Sequence, residues 1–122
     1  MVLDLKILDE SAGRQSVRQV AVFLGQHREV TKLLIQGHTN SKANDAASLA
    51  LSSRRAIAVR TQLIEMGVEG ERLVAIAFGR LKPIADNATA AGRALNDRVE
   101  FQFAEVNGRP SANVRSDGLL VP

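Results

Sequence analysis

The sequence contains no cysteine, no tryptophan and no tyrosine, and only four phenylalanines among its 122 residues. Without cysteine, the chain has no disulfides, thiolate metal sites or cysteine nucleophiles. Without Trp or Tyr, it lacks most of the aromatic side chains on which nucleic-acid bases stack. The net charge is only +3, and the basic residues are dispersed, so we expect no nucleic-acid partner.

Long apolar segments are also missing. No run of about 18 apolar residues occurs, so the sequence predicts no direct membrane insertion of this fragment. The first ten residues, MVLDLKILDE, have charges within their apolar stretch and are not typical of a signal peptide. A chain of 122 residues with 45% hydrophobic residues is long enough for one core. We expect either a cytoplasmic protein or a domain of a longer exported chain.

Hydrophobic periodicity indicates the fold class. Alternating and β-branched segments predict strands over residues 2–8, 30–37, 72–79 and 97–106. Helical spacing predicts long helices over 11–27 and 46–66, and a short helical turn in the loop before the last strand. The order β-α-β-α-β-(short α)-β predicts an α/β fold, an α+β sandwich. Its four-stranded mixed sheet would have both long helices on one face.

The end of the chain differs in composition from the rest. From Asn107 onward, Gly, Pro, Ser and Asn occur without periodicity, so residues 106–122 are predicted to form a flexible tail or linker. The segment GLLVP within it is a candidate for docking onto the domain. The domain itself is predicted to span residues 1–105.

The second helix is predicted to present a possible site beside its buried face. At about 100° per residue, the buried stripe is predicted to consist of Leu49, Ala56, Ile57, Arg60, Leu63 and Ile64. The adjacent flank contains Ser48, Ser52 and Arg55, and it would face the turn of His38, Thr39 and Asn40 across a shallow crevice. On spacing alone, a solvated helix face is the simpler interpretation of this flank.

Catalytic and metal sites are not indicated. No second ligand at metal-binding spacing accompanies His38. The hydroxyls of Ser52 and Ser53 are not in a G-x-S-x-G elbow. We therefore expect no enzyme activity, no catalytic residue, no metal and no cofactor.

Two motifs at fixed spacing resemble those of a known family. The first half of the chain has G-H-T at Gly37–Thr39 and L-S-x-x-R-A at Leu51–Ala56. The second half matches a longer pattern at Gly79, Pro83, Ile84, Ala85, Asn87, Thr89, Gly92, Arg93, Asn96, Arg98, Val99 and Glu100. Over residues 1–105 the sequence resembles the OmpA-like C-terminal domain. This peptidoglycan-binding module occurs in outer-membrane proteins, peptidoglycan-associated lipoproteins and flagellar stator proteins.

The resemblance implies a ligand and a set of site residues. In the family, an Asp after His-Thr and the Arg before Ala together hold the diaminopimelate of the peptidoglycan stem peptide. One charge of each sign suits a zwitterionic amino-acid end. Transferred to this chain, the pattern implies ligand contacts from Arg55 and Asn40, with support from Thr39, Ser48 and Arg98. Arg98 has a structural alternative, a salt bridge with Glu100. Structural roles in the loop are expected for Asn87, Arg93 and Asn96.

The sequence departs from the family pattern at the site itself. Asn40 replaces the Asp, Ala43 replaces a Gly, Ser48 replaces an Asn, and Asp97 replaces the commoner Arg. Asn40 can accept a hydrogen bond from an ammonium only without charge assistance, a loss of about 1–2 kcal/mol. Asn40→Asp is therefore expected to strengthen binding. Asp97 is a candidate to pair with Arg55 or Arg98 in competition with the ligand.

Two functions follow as hypotheses. The first is a non-catalytic peptidoglycan-binding domain, in the periplasm or cell envelope, that anchors a longer exported protein to the cell wall with weakened or retuned affinity. The alternative is a degenerate domain that serves as a protein–protein interaction or assembly module. It would meet another envelope protein through the sheet edge or the tail.

Overall fold

The computed structural model describes residues 10–40, 44–110 and 119–121. Its helices are α1 (Glu10–Gln26), α2 (Asp45–Glu65) and α3 (Ala90–Asn96), and a 3-10 turn spans Gly70–Arg72. Its strands are β1 (Val30–His38), β2 (Leu73–Gly79), β3 (Arg98–Val106), β4 (Arg109–Pro110) and β5 (Leu119–Val121). The long elements predicted between residues 11 and 106 are confirmed. Each strand differs from its predicted range by one residue at one end, and each long helix begins and ends one residue earlier than predicted. The predicted first strand, residues 2–8, lies outside the described residues.

The sheet is mixed. Within the described residues it has five strands in the order β4-β3-β1-β2-β5. The central strand β1 pairs in parallel with β2, and α2 forms the crossover between them. On its other side β1 pairs with β3 in antiparallel register, in which His38 lies opposite Arg98. The ends of β1 and β2 and the start of β3 therefore meet at one edge of the sheet.

The main core lies between the sheet and both long helices, because alternate strand residues point to the same face. The buried strand residues on that face include Leu33, Ile35, Leu73, Ala75, Val99, Phe101 and Phe103. They pack against Val17, Val20 and Leu24 of α1 and against Ala56, Val59 and Leu63 of α2. The predicted α/β fold with both long helices on one face is confirmed.

The opposite face of the sheet is also buried, but it is partly polar. A small apolar cluster of Leu34, Ile76 and Phe78 lies there. Beside it, the Gln36 amide donates to Gln102 Oε1 at 3.0 Å. Alternate residues of β3, Arg98, Glu100 and Gln102, lie on this face, and all three are buried.

The orientation of α2 differs from the prediction. Its buried residues are Ser48, Ser52, Ala56, Val59 and Leu63, whereas Ile57 and Ile64 are 41% and 40% exposed. The predicted stripe is therefore wrong for these two isoleucines. The flank with the two serines, predicted to border the crevice, faces the sheet instead. The buried face of α2 was predicted from hydrophobicity alone. That prediction failed because only small residues fit where α2 lies closest to β1.

Gly37 accounts for this close approach. A Cβ atom built on Gly37 would lie 2.1 Å from the carbonyl oxygen of Ser52. Only glycine therefore allows the backbone of α2 to contact β1 at this point. The Ser52 hydroxyl also donates to Leu49 O and accepts from Gly79 N–H, each at 3.0 Å. Because of this contact, the beginning of α2 is held against the ends of both parallel strands.

Part of the segment predicted to be a tail belongs to the sheet. Residues 109–110 pair with the end of β3, and Leu119–Val121, within the GLLVP segment, pair with β2 in antiparallel register. Both short strands lie at the edges of the sheet. In the part of the chain that the structure describes, no helix has the length and apolar character needed to cross a bilayer.

Candidate ligand-binding site

The candidate site lies where β1 ends and α2 begins. The Thr39 N–H donates to Gly79 O at 2.8 Å, and this bond holds the residue that follows β1 beside the end of β2. The Asn44 side chain caps α2 by accepting from Ala47 N–H at 2.8 Å. Ala43, one of the departures from the family pattern, lies outside the described residues.

Arg55 extends from α2 to this edge of the sheet. Its Nη1 donates to the carbonyl oxygen of His38 at 3.4 Å and to Oδ1 of Asp97 at 3.2 Å. The Arg55 side chain is 37% exposed. Of the two pairings considered for Asp97, the one with Arg55 forms.

Asn40 lies against the same carboxylate. Its backbone N–H donates to Asp97 Oδ1 at 2.9 Å, and its side-chain Nδ2 donates to Asp97 Oδ2 at 2.8 Å. The structure therefore brings Asn40 and Arg55 together, as predicted, but with a carboxylate of the chain itself between them.

The position of Asp97 is determined by the loop before it. Asn96 is fully buried, and its Oδ1 accepts from the backbone N–H groups of Ile84 and Ala85 at 2.7 and 3.1 Å. Its Nδ2 donates to Ala85 O and to Asn87 Oδ1 at 3.0 and 2.8 Å. Arg93 adds a bond from Nη1 to Asn87 O at 2.9 Å. The structural roles predicted for these three residues are confirmed.

Arg98 is placed away from the crevice. It is 1% exposed, and its Nε donates to Glu100 Oε1 at 2.7 Å. Its other nitrogens donate to Asn96 O and Lys82 O at 3.0 and 2.8 Å. The structural alternative, a salt bridge with Glu100, is the observed arrangement. Arg98 therefore supports the loop and does not present its charge to a ligand.

The other predicted site residues are also buried. Ser48 is 0% exposed and Thr39 is 5% exposed. His38 is 0% exposed, and its ring stacks on Phe78 with a centroid distance of 5.0 Å. These residues shape the edge of the sheet, while Asn40 and Arg55 remain the two predicted residues that are not fully enclosed.

The side chains at this site are suited to binding charged groups. A partly exposed cation, Arg55, and a partly exposed anion, Asp97, lie side by side with the amide of Asn40. Among the described residues, no group of histidine and acidic side chains is spaced to hold a metal ion. The arrangement suits a small ligand with charges of both signs.

The prediction from sequence missed the role of Asn40 as a donor. The signal was available, because the family pattern described above has an Asp at position 40 and an Arg at position 97, whereas this sequence has Asn40 and Asp97. A second omission was the burial of Ser48 and Ser52. The cue for it was Gly37, which lies near the end of a strand of branched residues and allows close approach by a neighbouring backbone.

Known proteins resemble this chain over most of its length. The sequence profile of the OmpA family matches residues 6–97. The outer membrane porin F of Pseudomonas aeruginosa is 44% identical over 106 residues, which cover 82% of this chain and 30% of the porin. The peptidoglycan-binding protein ArfA of Mycobacterium tuberculosis is 38% identical over 70 residues, which cover 57% of this chain and 22% of that protein.

A solved structure shows the same fold. The peptidoglycan-associated lipoprotein from Burkholderia pseudomallei superposes with a TM-score of 0.71 at 29% identity, covering 83% of this chain and 86% of that chain. The present chain spans less than a third of the porin and of ArfA. These matches therefore concern one domain of those longer proteins.

Proposed function

The chain belongs to the OmpA family, and from this premise we propose that it is a non-catalytic peptidoglycan-binding domain. Arg55 would bind a carboxylate of the diaminopimelate in the stem peptide, with Asn40 and Thr39 bordering the same position. The domain would anchor a longer envelope protein to the cell wall from the periplasm. Two relatives support the ligand class, since their names describe them as peptidoglycan-binding and peptidoglycan-associated.

The observation on which the proposal rests is the placement of Arg55. The G-H-T motif lies at the end of β1, and the L-S-x-x-R-A motif lies on α2. The fold brings Arg55 of the second motif to His38 of the first, beside Asn40. The Arg55 side chain keeps 37% of its surface exposed. Among the described residues, its hydrogen bonds to His38 and Asp97 are both made by Nη1. A guanidinium in this state can donate to an incoming carboxylate.

One observation favours the alternative function. Arg55 already has an anionic partner in Asp97, so a ligand carboxylate must share or displace that contact. If Asp97 outcompetes the ligand, the domain keeps its fold without its affinity for the cell wall. It would then serve as an assembly module for another envelope protein.

The proposed function is tested by sedimentation of the domain with purified sacculi. We expect Arg55→Ala to weaken binding by about tenfold or more, because a charge-assisted contact to the ligand carboxylate is lost. The matched control is Arg54→Ala, which removes the same charge from the neighbouring, exposed position on α2.

The comparison of these two variants separates specific binding from general attraction. Equal weakening in both would mean that sacculi attract the domain only by its net charge. If neither the unmodified domain nor the variants cosediment with sacculi, the peptidoglycan proposal is overturned and the assembly module takes its place. Circular dichroism of both variants confirms that the fold is intact.

A further inference from the structure

Asp97 is held as a preformed anion at the edge of the site. Three donors converge on its carboxylate: the backbone N–H and the side-chain Nδ2 of Asn40, and Nη1 of Arg55, at 2.9, 2.8 and 3.2 Å. Its own backbone N–H donates to Arg93 O at 3.1 Å, and the residues on both sides, Asn96 and Arg98, are buried. The carboxylate therefore has little freedom to move away.

Asn40 is chemically matched to this carboxylate. A carboxylate only accepts hydrogen bonds, so its partner at 2.8 Å must be a donor, and an amide nitrogen is one. An aspartate at position 40 would instead place two anions in contact, which is unfavourable. The identity of residue 40 thus depends on residue 97. Because of this dependence, Asn40→Asp alone is no longer expected to strengthen binding.

The charges of the crevice remain balanced despite the change at position 40. The Asp97 side chain is 28% exposed and lies 3.2 Å from Arg55. A carboxylate offers about four acceptor positions, of which the recorded contacts occupy three. With respect to the described residues, one acceptor position is therefore left for a donor from a ligand. An anion and a cation side by side are complementary to an amino-acid end, which has an ammonium and a carboxylate on one carbon atom.

We propose that Asp97 is the specificity-determining residue for the ligand ammonium, with Asn40 as its positioning residue. The negative charge of the site has moved from position 40 to position 97, and the site still selects a zwitterionic end. This inference rests on the proposed peptidoglycan function. It differs from the simpler idea that Asp97 competes with the ligand for Arg55. The two ideas predict opposite effects of Asp97→Asn on ligand binding.

The test uses two stem peptides that differ only at the side-chain amine of diaminopimelate, which is free in one and acetylated in the other. Titration calorimetry compares the unmodified domain, Asp97→Asn, and the double variant Asn40→Asp with Asp97→Asn. The unmodified domain should prefer the free amine by about tenfold, since acetylation removes a charge-assisted bond. Asp97→Asn should lose this preference. The double variant, which returns the charge to position 40, should regain it.

Each other outcome contradicts the inference in a recognisable way. Tighter binding of both peptides by Asp97→Asn would identify Asp97 as a competitor for Arg55. A preference that survives Asp97→Asn would place the amine elsewhere. Binding of neither peptide by the unmodified domain, with no effect of Arg55→Ala on sacculi, would overturn the proposed function itself. Thermal melts followed by circular dichroism verify folding, and the double variant separates charge from structural damage.

Discussion

Gly37→Ala is expected to destabilise the domain by about 3 kcal/mol or more, at the upper end of the range for overpacked cores. The new Cβ would lie 2.1 Å from the carbonyl oxygen of Ser52 and 2.8 Å from its carbonyl carbon. Both are backbone atoms of α2, so relief requires the whole helix to move away from β1. Urea unfolding followed by circular dichroism measures the change, since the chain has no tryptophan to report by fluorescence.

The matched control is Gly25→Ala. Gly25 is an exposed residue of α1, and nothing lies within 4 Å of a Cβ built there. Alanine at a helical position should be neutral or stabilising, by up to about 1 kcal/mol. Equal stability of the two variants would mean that α2 does not contact β1 as closely as described. A destabilised Gly37→Ala should also bind sacculi poorly, because the same contact positions the start of α2 beside Asn40.

Arg98→Met is expected to cost about 3–5 kcal/mol, the usual penalty when one partner of a buried ion pair is removed. Glu100 would remain buried without the guanidinium that now lies 2.7 Å from its Oε1. Nε2 of His38 lies 3.7 Å from Oε2 of Glu100. The carbonyl groups of Lys82 and Asn96 would also lose their donors. Urea unfolding again gives the magnitude.

A double variant, Arg98→Met with Glu100→Leu, identifies the cause. Replacing both members of a buried pair removes the uncompensated charge, so part of the lost stability should return. The recovery should be incomplete, because the two loop carbonyls still lack the hydrogen bonds that Arg98 donates to them. A double variant no more stable than Arg98→Met would show that the loop contacts, and not the charge of Glu100, account for the loss. The direct-binding role first considered for Arg98 requires exposure that the residue does not have.

Much of the fold could be predicted from the sequence because local patterns determine it. Period-two segments become β1, β2 and β3, and helical periodicity becomes α2. The order of these elements leaves few arrangements, so the mixed sheet with helices on one face followed. The loop residues Asn87, Arg93 and Asn96 were also identified correctly, through their place in the family pattern.

What the sequence determined for the site was the presence of Asn40 and Arg55 at one edge of the sheet. Their separation along the chain matters little, because the end of a strand and the first turns of the following helix are adjacent in a crossover. The binding roles of both residues remain predictions.

Only the tertiary structure decided how the charges are arranged. Asn40 and Asp97 are 57 positions apart and meet because His38 pairs with Arg98 in the antiparallel register of β1 and β3. The burial of Ser48 and Ser52, and the exposure of Ile57 and Ile64, depend on the rotation of α2 about its axis, which the contact with Gly37 sets. Such long-range contacts have no local signal, because each residue type at these positions is compatible with several environments until its neighbours in space are known.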